Sequence, residues 1–240
     1  MKKTTKRALI IFIIIPVSLA LAYSLYVYGP LLALKPVKTG QIADTKITAV
    51  KNSSYVSVFF VKTNSGYILF DAGLNKKNME ASIKKEGIDA NDVKWIFLTH
   101  SDRDHTGGLA LFPDAKIYMG EDELPLINGS LNRHSRGGNS MPQGVNAGDI
   151  MLLSDRQEFL LNGTKVECLK APGHTPGSML YLVDGKYLFT GDAFMIKKGN
   201  IEVHIASMDT ELAKKTIGQM RGIINNCSII LSSHYGYLAR

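Results

Sequence analysis

Residues 99–108 read Thr-His-Ser-Asp-Arg-Asp-His-Thr-Gly-Gly and crowd His100, Asp102, Asp104 and His105 into one short stretch. Imidazole and carboxylate are the donors that zinc, iron and manganese take, and a catalytic ion needs about three protein ligands with one position left for water. Three more residues of these types follow singly: His174 in Gly-His-Thr-Pro-Gly, Asp192 in Thr-Gly-Asp and His234 in Ser-Ser-His. Together the seven are enough for two divalent ions. Water held between two such ions becomes a nucleophile near neutral pH, and Asp104 is the candidate to orient it or shuttle its proton. Serine-based catalysis is a weak rival, because Ser101 and Ser178 lie near histidines but in no Gly-x-Ser-x-Gly turn.

Such residues converge only if strands end at them. β-branched and apolar runs at 46–51, 55–62 and 67–71 read as strands, with Asn64-Ser65-Gly66 as a hairpin turn. A helix is expected over 75–87, then a strand over 94–99 that delivers His100, and a helix from His105 toward Phe112. Further strands are expected near 115–118, 148–153, 164–170, 178–183 and 186–190. Residues 209–222 have helical spacing with acidic residues early and basic residues late, and 228–231 is a last strand leading to His234.

The pattern resembles the metallo-β-lactamase-fold superfamily, whose signature is His-x-His-x-Asp-His followed by single His, Asp and His. The resemblance covers residues from about 40 to 240. It implies an α/β fold, a four-layer αββα sandwich with metals at the sheet edges, and a metal-dependent hydrolase. By this likeness His100 and His174 bind metal 1, Asp104, His105 and His234 bind metal 2, and Asp192 bridges them. Asp71, in Ile-Leu-Phe-Asp-Ala-Gly, matches an early Asp of the family that orients a ligand.

Asp102 stands where most of the family has a second histidine. As a metal 1 ligand it would set three carboxylates against two dications, bringing the site with one hydroxide to about zero charge instead of about plus one. Zinc is the expected metal, with iron or manganese favoured by this harder oxygen donor. Flavodiiron proteins are similar in placing a carboxylate there, so a di-iron oxidoreductase is an alternative; a non-catalytic metal-binding sensor domain is another.

Residues 8–28 carry no charge and are long enough to cross a bilayer as a helix, behind Lys2, Lys3, Lys6 and Arg7. Residues 1–30 are therefore expected to be a membrane anchor, with the catalytic domain outside the cytoplasm. Ala20-Leu21-Ala22 offers the competing reading of a cleaved signal peptide and a secreted protein. A linker over 31–44 and one domain over 45–240 follow. The formal charge of +7 falls to +3 without the four N-terminal basic residues, which is no nucleic-acid footprint. Cys168 and Cys227 suit either a disulfide or two buried thiols.

Between Gly120 and Gly148 turn-forming residues dominate, and a loop of this length suits a lid whose Arg133, His134 and Arg136 contact an anionic small-molecule substrate. Gly173 and Gly177 are expected to let the backbone bend close to His174. His204, Lys197 and Lys198 read as surface or wall residues outside the motif, and Tyr235 and Tyr237 as packing beside the last strand.

Overall fold

Alternate side chains of Ser57–Thr63 and Gly66–Phe70 face two different cores. Phe59, Val61, Ile68 and Phe70 pack in one, and Val58, Phe60 and Leu69 in another. A sheet covered on both faces reads as continuous apolar sequence, which is why these strands are near-unbroken hydrophobic runs. The computed structural model describes residues 34–133 and 144–240, with Val17, Ser18 and Tyr23. Its main compact unit is Lys35–Arg240.

Two sheets lie face to face. The first has seven strands in sequential order: β1 (Gly40–Gln41), β2 (Ile47–Lys51), β3 (Ser57–Thr63), β4 (Gly66–Phe70), β5 (Val93–Leu98), β6 (Lys116–Gly120) and β7 (Ile150–Leu153). It is antiparallel through β4 and parallel from β4 to β7. The second contains β8 (Gln157–Leu161), β9 (Thr164–Lys170), β10 (Met179–Val183), β11 (Tyr187–Gly191), β14 (Ile229–Ser232) and β15 (Tyr237–Ala239), in the order β15-β14-β11-β10-β9-β8. A separate hairpin joins β12 (Phe194–Lys197) to β13 (Asn200–Val203).

Three cores separate four layers. Between the sheets, Phe70 stacks on Phe189 with ring centroids 4.0 Å apart, and Tyr181 and Phe97 close around them. Truncating such a buried ring costs roughly 3–5 kcal/mol. Helix α1 (Lys76–Lys85) lays Met79 and Ile83 on the outer face of the first sheet. Its N-cap is Asn75, whose side chain accepts the Asn78 N–H. Two single-turn helices, α2 (Arg103–Thr106) and α3 (Leu124–Ile127), flank the site. Helix α4 (Thr210–Asn226), capped by Asp209, covers the outer face of the second sheet with Met220 and Ile224. This is the expected αββα sandwich.

Residues 35–44, expected as linker, contribute strand β1 and the buried Val37 and Ile42 to the body. Strands β8, β12, β13 and β15 were not expected from the sequence. The apolar run 8–28 lies outside the described residues apart from Val17, Ser18 and Tyr23, and among the described residues no helix is long and apolar enough to cross a membrane. Cys168 and Cys227 are free, buried in different cores, so the disulfide alternative does not hold.

Candidate metal centre

The C-terminal ends of β4, β5, β9, β11 and β14 lead directly into Asp71, His100, the turn that carries His174, Asp192 and the Ser233-His234 pair. Parallel strands gather such residues at one edge: β4 runs with β5, and β11 with β14. All seven expected side chains meet there. Candidate ligand atoms of His100, Asp102 and His174 lie within 4.8 Å of one another, as do those of Asp104, His105 and His234. Asp192 touches both groups, with Oδ2 3.6 Å from His174 Nε2 and Oδ1 3.2 Å from His234 Nε2.

The hydrogen bonds on the outer nitrogens set the tautomers. His105 Nδ1 faces Asp71 Oδ2 at 2.8 Å and His234 Nδ1 faces the Tyr55 carbonyl at 2.6 Å, so both Nδ1 atoms donate. Thr99 Oγ1 donates its one proton to Asp71 and therefore accepts from His100 Nδ1 at 3.0 Å. His174 Nε2 accepts from Arg133 Nη2 at 3.1 Å. In His100, His105 and His234 this leaves Nε2 as the atom to bind a cation, and in His174 the corresponding Nε2 is taken by Arg133.

Charge in the cage agrees. Burial pushes the Asp104 carboxyl up, but His105 and His234 outweigh it and hold it down at about 2. Asp192 is likewise held well below the usual range against its burial by His234, His204 and His105. Burial lowers His105, yet Asp71, Asp104 and Asp192 raise it to about 9, and His234 also rises against its burial beside Asp192 and Asp104. These carboxylates hold protons on the imidazoles where a dication would otherwise stand. His174, in contrast, is driven well below its ordinary value, first by burial. His100 Nε2 and Asp192 Oδ1 are buried without a hydrogen-bond partner. Orphaned atoms of these two types, aimed into one cage, fit a bound metal ion.

Two expectations are corrected. Arg133 does not reach outward to a substrate anion: it is buried, its Nη1 is paired with Asp102 Oδ2, and its Nη2 also donates to the Ala206 carbonyl at 2.7 Å. The partnered carboxylate was invisible in sequence because 31 residues separate the two. His134 and Arg136 lie outside the described residues. His204 is not on the surface: it is buried in the wall of the cage, with Nε2 3.6 Å from Asp192 Oδ2 and 3.3 Å from the Tyr235 hydroxyl. The Ala206 N–H donates to His204 Nδ1 at 3.2 Å, so the proton of this imidazole sits on Nε2. His204 thus presents an N–H to the cage even as a neutral imidazole, where a neutral His100, His105 or His234 would present a lone pair. Lys197 does lie on the surface, paired with Glu202.

Sequence reading also missed Glu123, which is fully buried. Its carboxylate accepts the Ser101 N–H at 3.0 Å and the Gly177 N–H at 3.1 Å, together with the hydroxyls of Ser101 and Thr175. It ties the loop of His100 and Asp102 to the loop of His174. Gly177 is required there, since a Cβ would stand 2.2 Å from Glu123 N. Gly173, at φ +140°, would likewise drive a Cβ into Ala213 of α4.

An αββα sandwich whose strand ends enclose histidines and aspartates defines a metal-site protein of the metallo-β-lactamase type. Residues 53–203 match the metallo-beta-lactamase superfamily, and the chain belongs to that family. Among curated relatives it is similar to a hydroxyacylglutathione hydrolase of Glaesserella parasuis, 34% identical over 41% of this chain and 34% of the relative. It is also similar to the uncharacterised protein YobT of Bacillus subtilis, 30% identical over 60% of this chain and 64% of the relative. The chain thus spans between a third and just under two thirds of these proteins. A subclass B3 metallo-beta-lactamase of Bradyrhizobium japonicum, BJP-1, shares the fold with a TM-score of 0.64 at 21% identity, covering 84% of this chain and 80% of its own.

Proposed function

We propose that this chain is a metal-dependent hydrolase that directs water at an ester, lactone, amide or phosphoester bond of a small-molecule substrate. The observation that carries this reading is the arrangement of the rings: His100, His105, His174 and His234 point Nε2 into one buried cage that also holds Asp104 and Asp192, and in three of them Nδ1 is fixed from behind by Thr99, Asp71 or the Tyr55 carbonyl. Asp104, His105 and His234 would hold one ion with Asp192 beside them, and His100, Asp102 and His174 are placed to hold a second. A bound ion supplies Lewis acidity that lowers the pKa of water and polarises the scissile group. Zinc suits the imidazole-rich donor set, and the pairing of Asp102 with Arg133 weakens the case for iron or manganese.

The chain's own groups divide the proton work. Asp104 is the least buried carboxylate of the cage and stays ionised, so it is suited to orient an attacking water and take its proton. The His204 N–H lies near Asp192 Oδ2 and the Tyr235 hydroxyl beside it, while His105 faces Asp192 Oδ1, so these two donors are suited to the oxygen that gains charge as the bond breaks. Ser101 and Ser178 are committed to Glu123 and Thr175 and serve no nucleophilic role.

The test is turnover of an aryl ester, a lactone, a β-lactam and bis-p-nitrophenyl phosphate, with and without chelator. Hydrolysis that a chelator abolishes and added zinc restores supports the reading; a metal-loaded, folded chain inert toward all four classes, or one indifferent to chelator, rejects it. The charge-free run 8–28 behind four basic residues supports an N-terminal anchor that places the domain outside the cytoplasmic face. Mass spectrometry of the mature N-terminus separates this from signal-peptide cleavage.

A further inference from the structure

We propose that Arg133 is a built-in competitor of one metal ion, so that the chain loads its first dication at Asp104, His105 and His234 and admits a second at His100, Asp102 and His174 only when the guanidinium leaves. This rests on reading the cage as a metal centre and not on which bond is cleaved. The guanidinium takes two of the three groups that would hold the second ion: Nη1 is on Asp102 Oδ2, and Nη2 is 3.1 Å from His174 Nε2. The same Nη2 also donates to the Ala206 carbonyl at 2.7 Å.

Charge counting favours the same state. One dication and one guanidinium carry three positive charges, against the three carboxylates Asp102, Asp104 and Asp192 that line the cage. Adding a second dication with Arg133 in place leaves two positive charges beyond those three carboxylates, or one when a hydroxide joins the ions, in a largely buried site. The other half of the cage has no such occupant. Among the described residues, no cationic lysine or arginine is bonded to Asp104, His105 or His234. The guanidinium is held through Nη1 and Nη2 alone, its buried Nε having no partner. An ion strong enough to take both Asp102 and His174 can therefore displace it.

The experiment is titration of the full, metal-free chain with zinc and, separately, cobalt, reading bound metal directly and the cobalt d–d bands. Wild type is expected to bind one ion tightly and the next at least about 100-fold more weakly, the scale set by separating a buried ion pair. Arg133→Gln and Arg133→Ala are expected to bring the second affinity to within about tenfold of the first. Where those variants do not fold, phenylglyoxal modification of wild type, mapped to the peptide carrying Arg133, reads the same event. The arginine is protected at one equivalent of zinc and becomes reactive at two. Two equally tight ions in wild type, a second affinity unmoved by either substitution, or unchanged Arg133 reactivity between one and two equivalents overturns the proposal. Absence of any metal binding overturns the metal-centre reading with it.

Discussion

Asp71 Oδ2 lies 2.8 Å from His105 Nδ1, and the same carboxylate accepts the Thr99 N–H and hydroxyl. One buried side chain at the end of β4 thereby fixes the ring of His105 directly and, through Thr99, that of His100. Asp71 itself has φ +61°, a conformation that aspartate tolerates better than most residues.

This relationship predicts that Asp71→Ala weakens metal binding although Asp71 lies outside the proposed ligand set. Loss of a carboxylate behind a ligating imidazole typically costs about 10–100-fold in affinity. Competition with a chromophoric zinc chelator measures it. Asp71→Ala with unchanged zinc affinity and intact fold would show that the ring of His105 is held by packing alone.

Glu123 is expected to behave as a stability residue. Glu123→Ala strands the Ser101 and Gly177 N–H groups and two hydroxyls in a buried pocket. Each stranded group costs roughly 1–3 kcal/mol, so a loss of about 3 kcal/mol or more is expected, lowering Tm by at least about 6 °C. A variant that melts within about 2 °C of wild type would show that water replaces the carboxylate.

His204 is expected to act on turnover and not on metal content. Its Nε2–H makes it a donor, so His204→Gln should keep the wild-type zinc stoichiometry and lower kcat roughly 100-fold. The loss should be smaller for an aryl ester, whose leaving group needs little protonation, than for an alkyl ester. Loss of zinc from the variant would instead make His204 a ligand, beside His174 and Asp192, with which it shares a possible site.

Much of this centre was legible in the sequence because strand ends and turns are local. The run at 99–108, the Gly-His-Thr-Pro-Gly turn and the Thr-Gly-Asp corner each announce themselves within a few residues. His204 and Glu123 did not, because neither sits in a motif: their roles arise only when loops distant in sequence pack together. Arg133 was read as a contact for an anionic substrate since its partner Asp102 lies on another loop. Strand β8 escaped because its residues are half exposed, although Asn162-Gly163, both at positive φ, is a hairpin signal for β8 and β9. Strands β12 and β13 are short, turn on the positive-φ pair Lys198 and Gly199, and lack a sharp alternation.

Cys168 gives a pH prediction away from the metal cage. Burial between the sheets, and then Glu167 beside it, push its thiol up to about 12. The folded chain therefore holds this proton more tightly than the unfolded chain, whose thiol titrates near 9. Because the folded value is the raised one, the stabilisation is fully present below about pH 9 and is lost as pH climbs toward 12, at up to about 1.4 kcal/mol per pH unit. Urea midpoints measured from pH 8 to 11 should fall more steeply for wild type than for Cys168→Ala, whatever cavity the substitution leaves at neutral pH. Native protein should also resist Ellman's reagent at pH 8, with Cys168 and the similarly raised Cys227 reacting only on unfolding. Equal pH slopes for the two proteins, or rapid labelling of the native chain at Cys168, would show that this thiol meets water.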